Sequence, residues 1–451
     1  MREFSGDQLG LMWNEQKDAR AYAARKRKMY QHDWKDWLNE EMRKLFESDT
    51  FDILKQRSDT SVNMFRWTID ELASIYSEPV HRSIDDTVDL EISPEVDMTL
   101  DQACKWTMAT GEVLLRPAWV NGRMLIYLYP RDSFLAVPSD EDPLLLDAVV
   151  IEHKDSKGAT SKYEVWTEHE WAYYDQAWQP IAMQGEDGEP RDTTNPYGVV
   201  PFVVAHSEYP STAFWHGSSC DDLAQACLDM GVSLTDFNHL RHFQSYKQGV
   251  IKSDTLEDGD ISRLKSDPTS WIQIKGATAN AFAIDMQANL SENLNVALDK
   301  SQFTVGMRGA RPTLVRGEES AASGYALKIK EHKKAQVWSQ LRQLWHLWEE
   351  SLWRVARVVF PVEDGPAIPE GKLMIDWPEL GPGSSRLEVG QYVASITTII
   401  GEEESLRELG YSEEDIQRIL AQKMAETVRN PQVNPMAVPV SPLSEGGNDG
   451  V

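Results

Sequence analysis

The residues best suited to chemistry in this sequence are three arginines in one glycine-containing segment, VGMRGARPTLVRGEESAASGYALK, residues 305–328. Arg308, Arg311 and Arg316 have no acidic residue between them. A guanidinium group binds phosphate oxygens through paired, charge-assisted hydrogen bonds. The segment therefore predicts a loop that contacts phosphate groups, and an ordinary surface loop is the alternative.

A nucleotide site is a further interpretation of the same segment, and the sequence disfavours it. Phosphate-binding loops combine a preceding strand, an anchoring lysine and an acid that holds magnesium. The segment lacks all three features, and G-x-x-x-x-G-K-[ST] occurs nowhere in the chain. An ordinary surface loop and a loop that acts on DNA both remain, and the second interpretation needs support from the elements around the segment.

Other catalytic and metal-binding patterns are also missing, including G-x-S-x-G, H-E-x-x-H and paired Cys-x-x-Cys. His239 and His242 could share a helix face, but without a third ligand they predict helix surface or inter-subunit packing. The acidic DTLEDGD does not fit a calcium loop. We predict no catalytic residue, no metal and no cofactor, and hence a protein that is not an enzyme.

The charge balance limits how the chain can meet nucleic acid. Its 451 residues contain 72 acidic and 45 basic residues, a formal net charge of -27. A protein that reads a DNA sequence normally presents a basic face. Acidic walls instead repel phosphates, which suits a passage through which a polyanion must slide.

Cysteine use and hydropathy point to a chain made in a reducing compartment. Cys104, Cys220 and Cys227 form neither a metal spacing nor an even disulfide framework. The N-terminus lacks a signal pattern, and no run of about 18 apolar residues is present. We expect cytoplasmic synthesis and no membrane partner.

The elements around the arginine segment begin with helix. Apolar residues spaced by threes and fours predict a helix over residues 6–47, and another ending near Glu78 before Pro79. The basic run Arg25–Lys28 predicts a solvated helix face, with a nucleic-acid patch as the alternative.

From residue 112 the hydrophobic period changes to two. EVLLRPAWV and RMLIYLYP flank Asn121-Gly122, a strong hairpin signal. Three further short strands, LDAVVIEH, KYEVWT and EWAYYD, extend an antiparallel meander. The first 210 residues are therefore predicted to be α+β.

The second half of the chain alternates long helices with a small β module. Helices are predicted at about 218–248 and 287–304, with three short strands between them in residues 249–286. A helix of about 37 residues, Ala321 to Arg357, follows the arginine segment and would be roughly 55 Å long. Further helices are expected before a proline-rich, disordered tail.

Two short motifs carry a family resemblance when they are taken with this order of elements. The first is N-x-x-G-x-x-P-F-V before the first helix, and the second is S-G-x-A-L-K at the start of the long helix. Their residues are Asn195, Gly198, Pro201, Phe202 and Val203, and Ser323, Gly324, Ala326, Leu327 and Lys328. The chain resembles the portal proteins of tailed bacteriophages, of the siphophage type, over about residues 195–360.

This resemblance implies a mainly helical α+β portal fold with wing, stem, clip and crown regions. Residues 305–322, with Arg308, Gly309, Arg311 and Arg316, would be a tunnel loop facing DNA. The other regions would be the N-terminal helices and wing (1–217), stem helices (218–248 and 287–304), clip (249–286), long wing helix and return (323–384), crown (385–430) and tail (431–451).

The function implied is a ring, usually a dodecamer, at one capsid vertex of the virion. Double-stranded DNA would pass through it, without sequence specificity, during packaging and ejection. The implied partners are the terminase large subunit, a head-to-tail adaptor, and the major capsid and scaffolding proteins. The alternatives are a minor head or adaptor protein, and a nuclease or hydrolase without a recognisable motif.

Overall fold

The computed structural model describes residues 4–378 except for 91, 157, 183–191, 212, 216, 218–219, 245–247, 253–271, 275–279, 285–289, 309 and 311–323. The chain divides into two units, Met1–Leu380 and Gly381–Val451. The second unit, which contains the expected crown and tail, lies outside the described residues.

The N-terminal region is three helices rather than the one predicted over residues 6–47. They are α1 (Gly6–Glu15), α2 (Lys17–Tyr30) and α3 (Lys35–Leu45). Between α2 and α3 the backbone of His32 is left-handed, with φ of 69°. A left-handed residue ends the helical hydrogen-bond ladder, because the following N–H turns back toward an earlier carbonyl. Here the Asp33 N–H donates to the Lys28 carbonyl at 2.8 Å.

The prediction that the basic run of α2 is a solvated face is wrong for its central residues. Lys26 is only 2% exposed and forms an ion pair with Asp221 at 2.8 Å. Arg27 binds Asp132 at 2.7 Å. Helical spacing explains the outcome, because four consecutive residues point in different directions around a helix and cannot all face solvent.

Three more helices complete the N-terminal layer: α4 (Ser48–Leu54), α5 (Met64–Leu72) and α6 (Pro94–Thr110). After α5 the chain continues as a 3₁₀ turn, Ser74–Tyr76, so α-helix ends earlier than the expected Glu78. Helix α6 was not predicted. It ends at Gly111, whose φ of 101° suits glycine.

The predicted hairpin is confirmed. Strands β3 (Glu112–Val120) and β4 (Arg123–Pro130) pair antiparallel across Asn121-Gly122. Both turn residues have positive φ, 52° and 78°, as a two-residue hairpin turn of this type requires. The hairpin does not join the meander, however. It forms its own sheet with β10 (Val203–His206), in the order β10-β3-β4.

The meander is a separate antiparallel sheet, in the order β5-β6-β7-β8-β9. It contains the three predicted strands and two that were not predicted. Its members are β5 (Phe134–Pro138), β6 (Leu146–Lys154), β7 (Thr160–Thr167), β8 (Trp171–Tyr174) and β9 (Pro180–Ile181).

A third small sheet joins distant parts of the chain. Strand β14 (Leu373–Asp376) pairs antiparallel with β1 (His81–Ile84), which also pairs with β2 (Val88–Asp89). The segment after the long helix thus returns to the N-terminal region. Helices and antiparallel sheets occupy distinct parts of the described chain, and the fold class is α+β, as predicted.

The helix–β–helix order of the second half is present, with somewhat different bounds. Helix α7 spans Asp221–Gln244 and α8 spans Leu290–Met307. Between them lie β11 (Gln248–Lys252), β12 (Ile272–Ile274) and β13 (Asn280–Ile284). Strand β11 is central, parallel to β12 and antiparallel to β13.

The long helix α9 spans Gly324–Val362, 39 residues, and is therefore about 58 Å long. Its Trp345, Trp348 and Leu352 are buried in the main hydrophobic core. A buried cluster of polar groups also holds it. The Arg82 guanidinium donates to both oxygens of Glu349 and pairs with Asp97 at 2.7 Å, and the Tyr76 hydroxyl donates to Glu349 at 2.7 Å.

Candidate functional site

The helix pair α7–α8 connects the β module to the arginine segment, and two ion pairs hold it together. Arg308, directly after α8, binds both carboxylate oxygens of Asp222, at 2.7 and 3.1 Å. Lys300 binds Asp229 at 2.6 Å. The acids are seven residues apart on α7, and the cations are eight residues apart along α8 and its end, about two turns in each case. The two helices therefore run antiparallel, with both ion pairs along one seam.

Helix α7 is the middle layer of three. Its residues Cys227, Gly231, Thr235 and Asn238 recur once per turn and face the N-terminal helices. A Cβ built on Gly231 would lie 3.0 Å from side-chain atoms of Trp34 and Leu38. The Asp59 N–H donates to the Thr235 hydroxyl at 2.9 Å, and the Asn238 amide donates to the Asp59 carboxylate at 2.7 Å.

The residues of α7 that bind α8, Asp222 and Asp229, lie about 180° around the helix from Gly231. Because α7 is covered on opposite faces, its apolar residues cannot form the single stripe of a surface helix. This explains the irregular spacing of apolar residues in the sequence of this helix.

The start of α7 is fixed by the ion pair between the buried Lys26 of α2 and the partly exposed Asp221. Burial lowers the pKa of the Lys26 ammonium, and the hydrogen bond to Asp221 opposes that effect. The positive charge of Lys26 is thus largely buried, and its hydrogen-bonded partner is the Asp221 carboxylate. Tyr22 lies against the same lysine, with the ammonium 4.7 Å from the ring centre.

Of the four residues predicted to face DNA, the structure describes only Arg308. Burial lowers the pKa of its guanidinium, but the hydrogen bonds to Asp222 and nearby carboxylates outweigh this, and the pKa is raised. Helix α8 reaches Met307, so residues 305–307 are helical rather than part of a loop starting at 305. Gly309, Arg311 and Arg316 lie outside the described residues, and their DNA-facing role stays a prediction.

The motif residues at the start of the long helix are only partly described. Gly324, Ala326, Leu327 and Lys328 belong to the first turns of α9, and the predicted start at Ala321 lies outside the described residues. Ser323 lies outside the described residues. In the first motif, N-x-x-G-x-x-P-F-V, Phe202 and Val203 are buried in the hydrophobic core at the start of β10. They pack under the sheet that precedes α7 in the chain.

A cleft of about 630 Å³ opens beside Arg308, between α9, α6 and the segment after β10. Its lining includes Cys104, Cys220, His206, Tyr209 and Trp345. Burial raises the pKa of Cys104, which keeps this thiol protonated and a poor nucleophile. In the described part of the chain, no three His, Cys, Asp or Glu side chains are grouped to hold a metal ion.

Sequence reasoning missed the ion pairs that fix the helix pair. Asp222 and Asp229 were visible as acids one heptad apart, but their partners follow in the sequence by more than 70 residues. No local rule pairs Lys300 with Asp229 or Lys26 with Asp221.

Among the described helices, none has the length and apolar character to cross a bilayer.

Comparison with known proteins gives structural similarity only. No protein-family model and no curated protein matches the sequence. Among solved structures, the chain is similar to one in the virion of the native gene transfer agent (GTA) particle, with 11% identity, a TM-score of 0.40, and coverage of 80% of this chain and 92% of that one.

Two further similar chains come from the necks of such particles. In the neck of the empty GTA particle, with C6 symmetry, the identity is 10% and the TM-score is 0.40. The match covers 80% of this chain and 93% of that one. In the neck of the native particle, with C12 symmetry, the identity is 11% and the TM-score is 0.38. The match covers 81% of this chain and 91% of that one. Similarity at this level does not establish a family.

Proposed function

We propose that this chain is a portal protein, the subunit of a ring through which double-stranded DNA passes at one vertex of a phage-like capsid. The observation that carries the proposal is the order of elements from α7 to α9. An antiparallel helix pair encloses a small β module, and a basic segment then joins that pair to a 39-residue helix. This is the order that the sequence resemblance implies for stem, clip, tunnel loop and wing helix.

The electrostatics of the chain support the same role. A net charge of -27 favours walls that repel phosphates, so DNA can slide without being held. The few cations of the arginine segment would give brief contacts that do not depend on base sequence. Both cations of α8 and its end, Lys300 and Arg308, are bound by acids of α7. Within the arginine segment, the proposed phosphate contacts are therefore those of Arg311 and Arg316.

In this role α7 and α8 are the stem, β11–β13 are the clip, and α9 belongs to the wing. The ring would be a dodecamer in the virion, and the clip would bind the terminase large subunit during packaging and a head-to-tail adaptor afterwards. The capsid and scaffolding proteins would surround the remaining surface. The chain supplies no recognised nucleotide site, so the force that moves DNA would come from the terminase.

Electron microscopy of the purified chain in negative stain tests the proposal directly. A portal gives closed rings with a central hole at least as wide as a DNA duplex. Monomers at all protein and salt concentrations would contradict it. Rings that form only when a separate portal is present would instead indicate an adaptor protein.

A further inference from the structure

The outward face of helix α8 carries an exposed apolar stripe. Val296, Phe303 and Met307 are 63%, 68% and 57% exposed. The opposite face of the same helix, with Ser301 and Val305, is buried against α7. At 100° per residue the three apolar side chains point about 120–180° away from those two buried residues. The three-layer stack of N-terminal helices, α7 and α8 therefore ends on an apolar surface.

A second exposed surface of the N-terminal layer belongs to α2, and it is mostly basic. Lys17, Ala21, Arg25 and Lys28 recur at every third or fourth residue and are exposed along one face. Lys26 lies on a different face of α2, where it binds Asp221 of α7. The basic run of α2 is thus divided between an internal ion pair and an external stripe. Nothing in the proposed passage of DNA uses this external stripe.

The two outer surfaces are complementary in charge. The exposed acids beside the apolar stripe of α8 are Glu292 and Asp299. Helix α2 exposes Lys17, Lys28 and Arg25, of which Arg25 pairs with Glu40 of α3 at 2.9 Å, and one acid, Asp18. Lysine and arginine side chains have aliphatic stems that pack on apolar surface while their charged heads stay at its edge. The stems of the α2 cations would cover Phe303 and Met307, and their heads would meet the acids.

DNA is a poor occupant of the α8 face. Phosphate contact needs cations, and within residues 290–308 the cations are Lys300 and Arg308. Both are bound to acids of α7. In a chain of net charge -27, copies repel one another except where charges are few or matched. The α8 stripe and the α2 face together provide such a place.

We infer that the outward face of α8 is an interface between copies of this chain, and that it packs against the basic face of α2 in the next copy. The inference rests on the proposed ring, and it assigns α8 to the seam between subunits rather than to the wall that faces DNA. When each copy binds the next through two different surfaces, head to tail, a closed ring forms if the rotation between neighbouring copies divides a full turn evenly.

Assembly of the full chain tests the inference, measured by mass photometry as the concentration at which half of the chains are in rings. Phe303→Ser should raise that concentration by about tenfold or more, since burial of a phenylalanine is worth roughly 1.5–3 kcal/mol. Met98→Ser removes an equally exposed apolar side chain from α6 and should leave assembly unchanged.

Charge reversal tests the pairing of the two faces. Lys17→Glu with Lys28→Glu should weaken assembly, as should Glu292→Lys with Asp299→Lys. The chain that carries all four changes should recover much of the loss, because opposite charges again face each other. Lys35→Glu with Lys55→Glu is the charge-matched control on other exposed lysines of the same layer.

Each outcome separates this inference from the proposed function. If the unmodified chain forms no rings, the portal proposal fails first. If it forms rings that Phe303→Ser and both reversals leave intact, the portal proposal stands and the interface is elsewhere. Loss of DNA retention by intact rings of Lys17→Glu with Lys28→Glu would assign the α2 face to DNA and overturn the inference.

Discussion

Lys26 and Asp221 are 195 residues apart in the sequence, and their ammonium and carboxylate groups are 2.8 Å apart in the structure. The pair joins helix α2 to the first turn of α7. Its two members differ in environment, because the lysine side chain is 2% exposed and the aspartate side chain 45%. That asymmetry decides what each substitution should do.

We expect Asp221→Ala to destabilise the fold more than Lys26→Met does. Removing the carboxylate leaves a buried ammonium without its partner and should cost about 2–3 kcal/mol. Removing the ammonium leaves an aspartate that water can reach, and methionine fills the space of the lysine stem, so the cost should be below about 1 kcal/mol. Urea-induced unfolding measures both, with Lys28→Met as the exposed control. Equal losses for the two variants would contradict the expected asymmetry.

The three arginines of the candidate tunnel segment should separate into two classes. Arg311→Ala with Arg316→Ala should reduce DNA retention by isolated rings and leave ring assembly intact. Arg308→Ala should instead loosen the α7–α8 pair, because Asp222 loses both hydrogen bonds. A double-mutant cycle with Asp222→Ala should give a coupling energy of about 0.5–1 kcal/mol, since both groups are partly exposed.

DNA retention can be measured by filter binding at several salt concentrations. Each phosphate contact that the ring loses should lower the slope of log affinity against log salt by about one, so the variant ring should show a smaller slope. An unchanged slope for Arg311→Ala with Arg316→Ala would show that these residues do not meet phosphate. Loss of ring assembly in that variant would make the segment an interface.

The buried cluster around Glu349 should be the most sensitive point of the long helix. Glu349→Ala leaves the Arg82 guanidinium, which is 1% exposed, without its main partner. The expected loss in the free energy of unfolding is about 3–5 kcal/mol. Replacing both residues, Arg82→Met with Glu349→Met, should cost less than the single change. Thermal unfolding ranks the variants, with Glu350→Ala as the control. A double variant less stable than Glu349→Ala would contradict this account.

Glu164 in the five-stranded sheet should make stability depend on acid pH. Burial raises the pKa of its carboxyl, but hydrogen bonds from His153, Trp166 and Trp171 outweigh burial and leave the pKa lowered. A carboxyl whose pKa is lower when folded stabilises the fold fully above its unfolded pKa, near 4.5. The contribution is lost as the pH falls through the folded pKa.

Glu164→Gln should therefore remove part of the fall in stability between about pH 4.5 and lower pH. At neutral pH it should also destabilise the fold by about 1–2 kcal/mol, because an amide offers these donors one oxygen and no charge. Unfolding midpoints measured from pH 7 to pH 3 test this, with Glu170→Gln as the exposed control. Parallel pH profiles for Glu164→Gln and the unmodified chain would contradict the role of Glu164.

The sequence by itself determined the features that depend on neighbouring residues. The hairpin at Asn121-Gly122, the three strands of the β module, and the helices on either side of it are all readable from spacing and turn residues. Such patterns work because side-chain direction repeats every two residues in a strand and every 3.6 in a helix. They also predicted the α+β class.

Only the tertiary structure decided which elements meet and which charges are buried. The sequence did not predict that β14 would pair with β1, nor that the hairpin would leave the meander and join β10. Nor did it show that Lys26 is internal while Lys28 is exposed, or that Arg308 binds Asp222. These contacts join residues far apart in the chain, and a local pattern carries no information about distance across a fold.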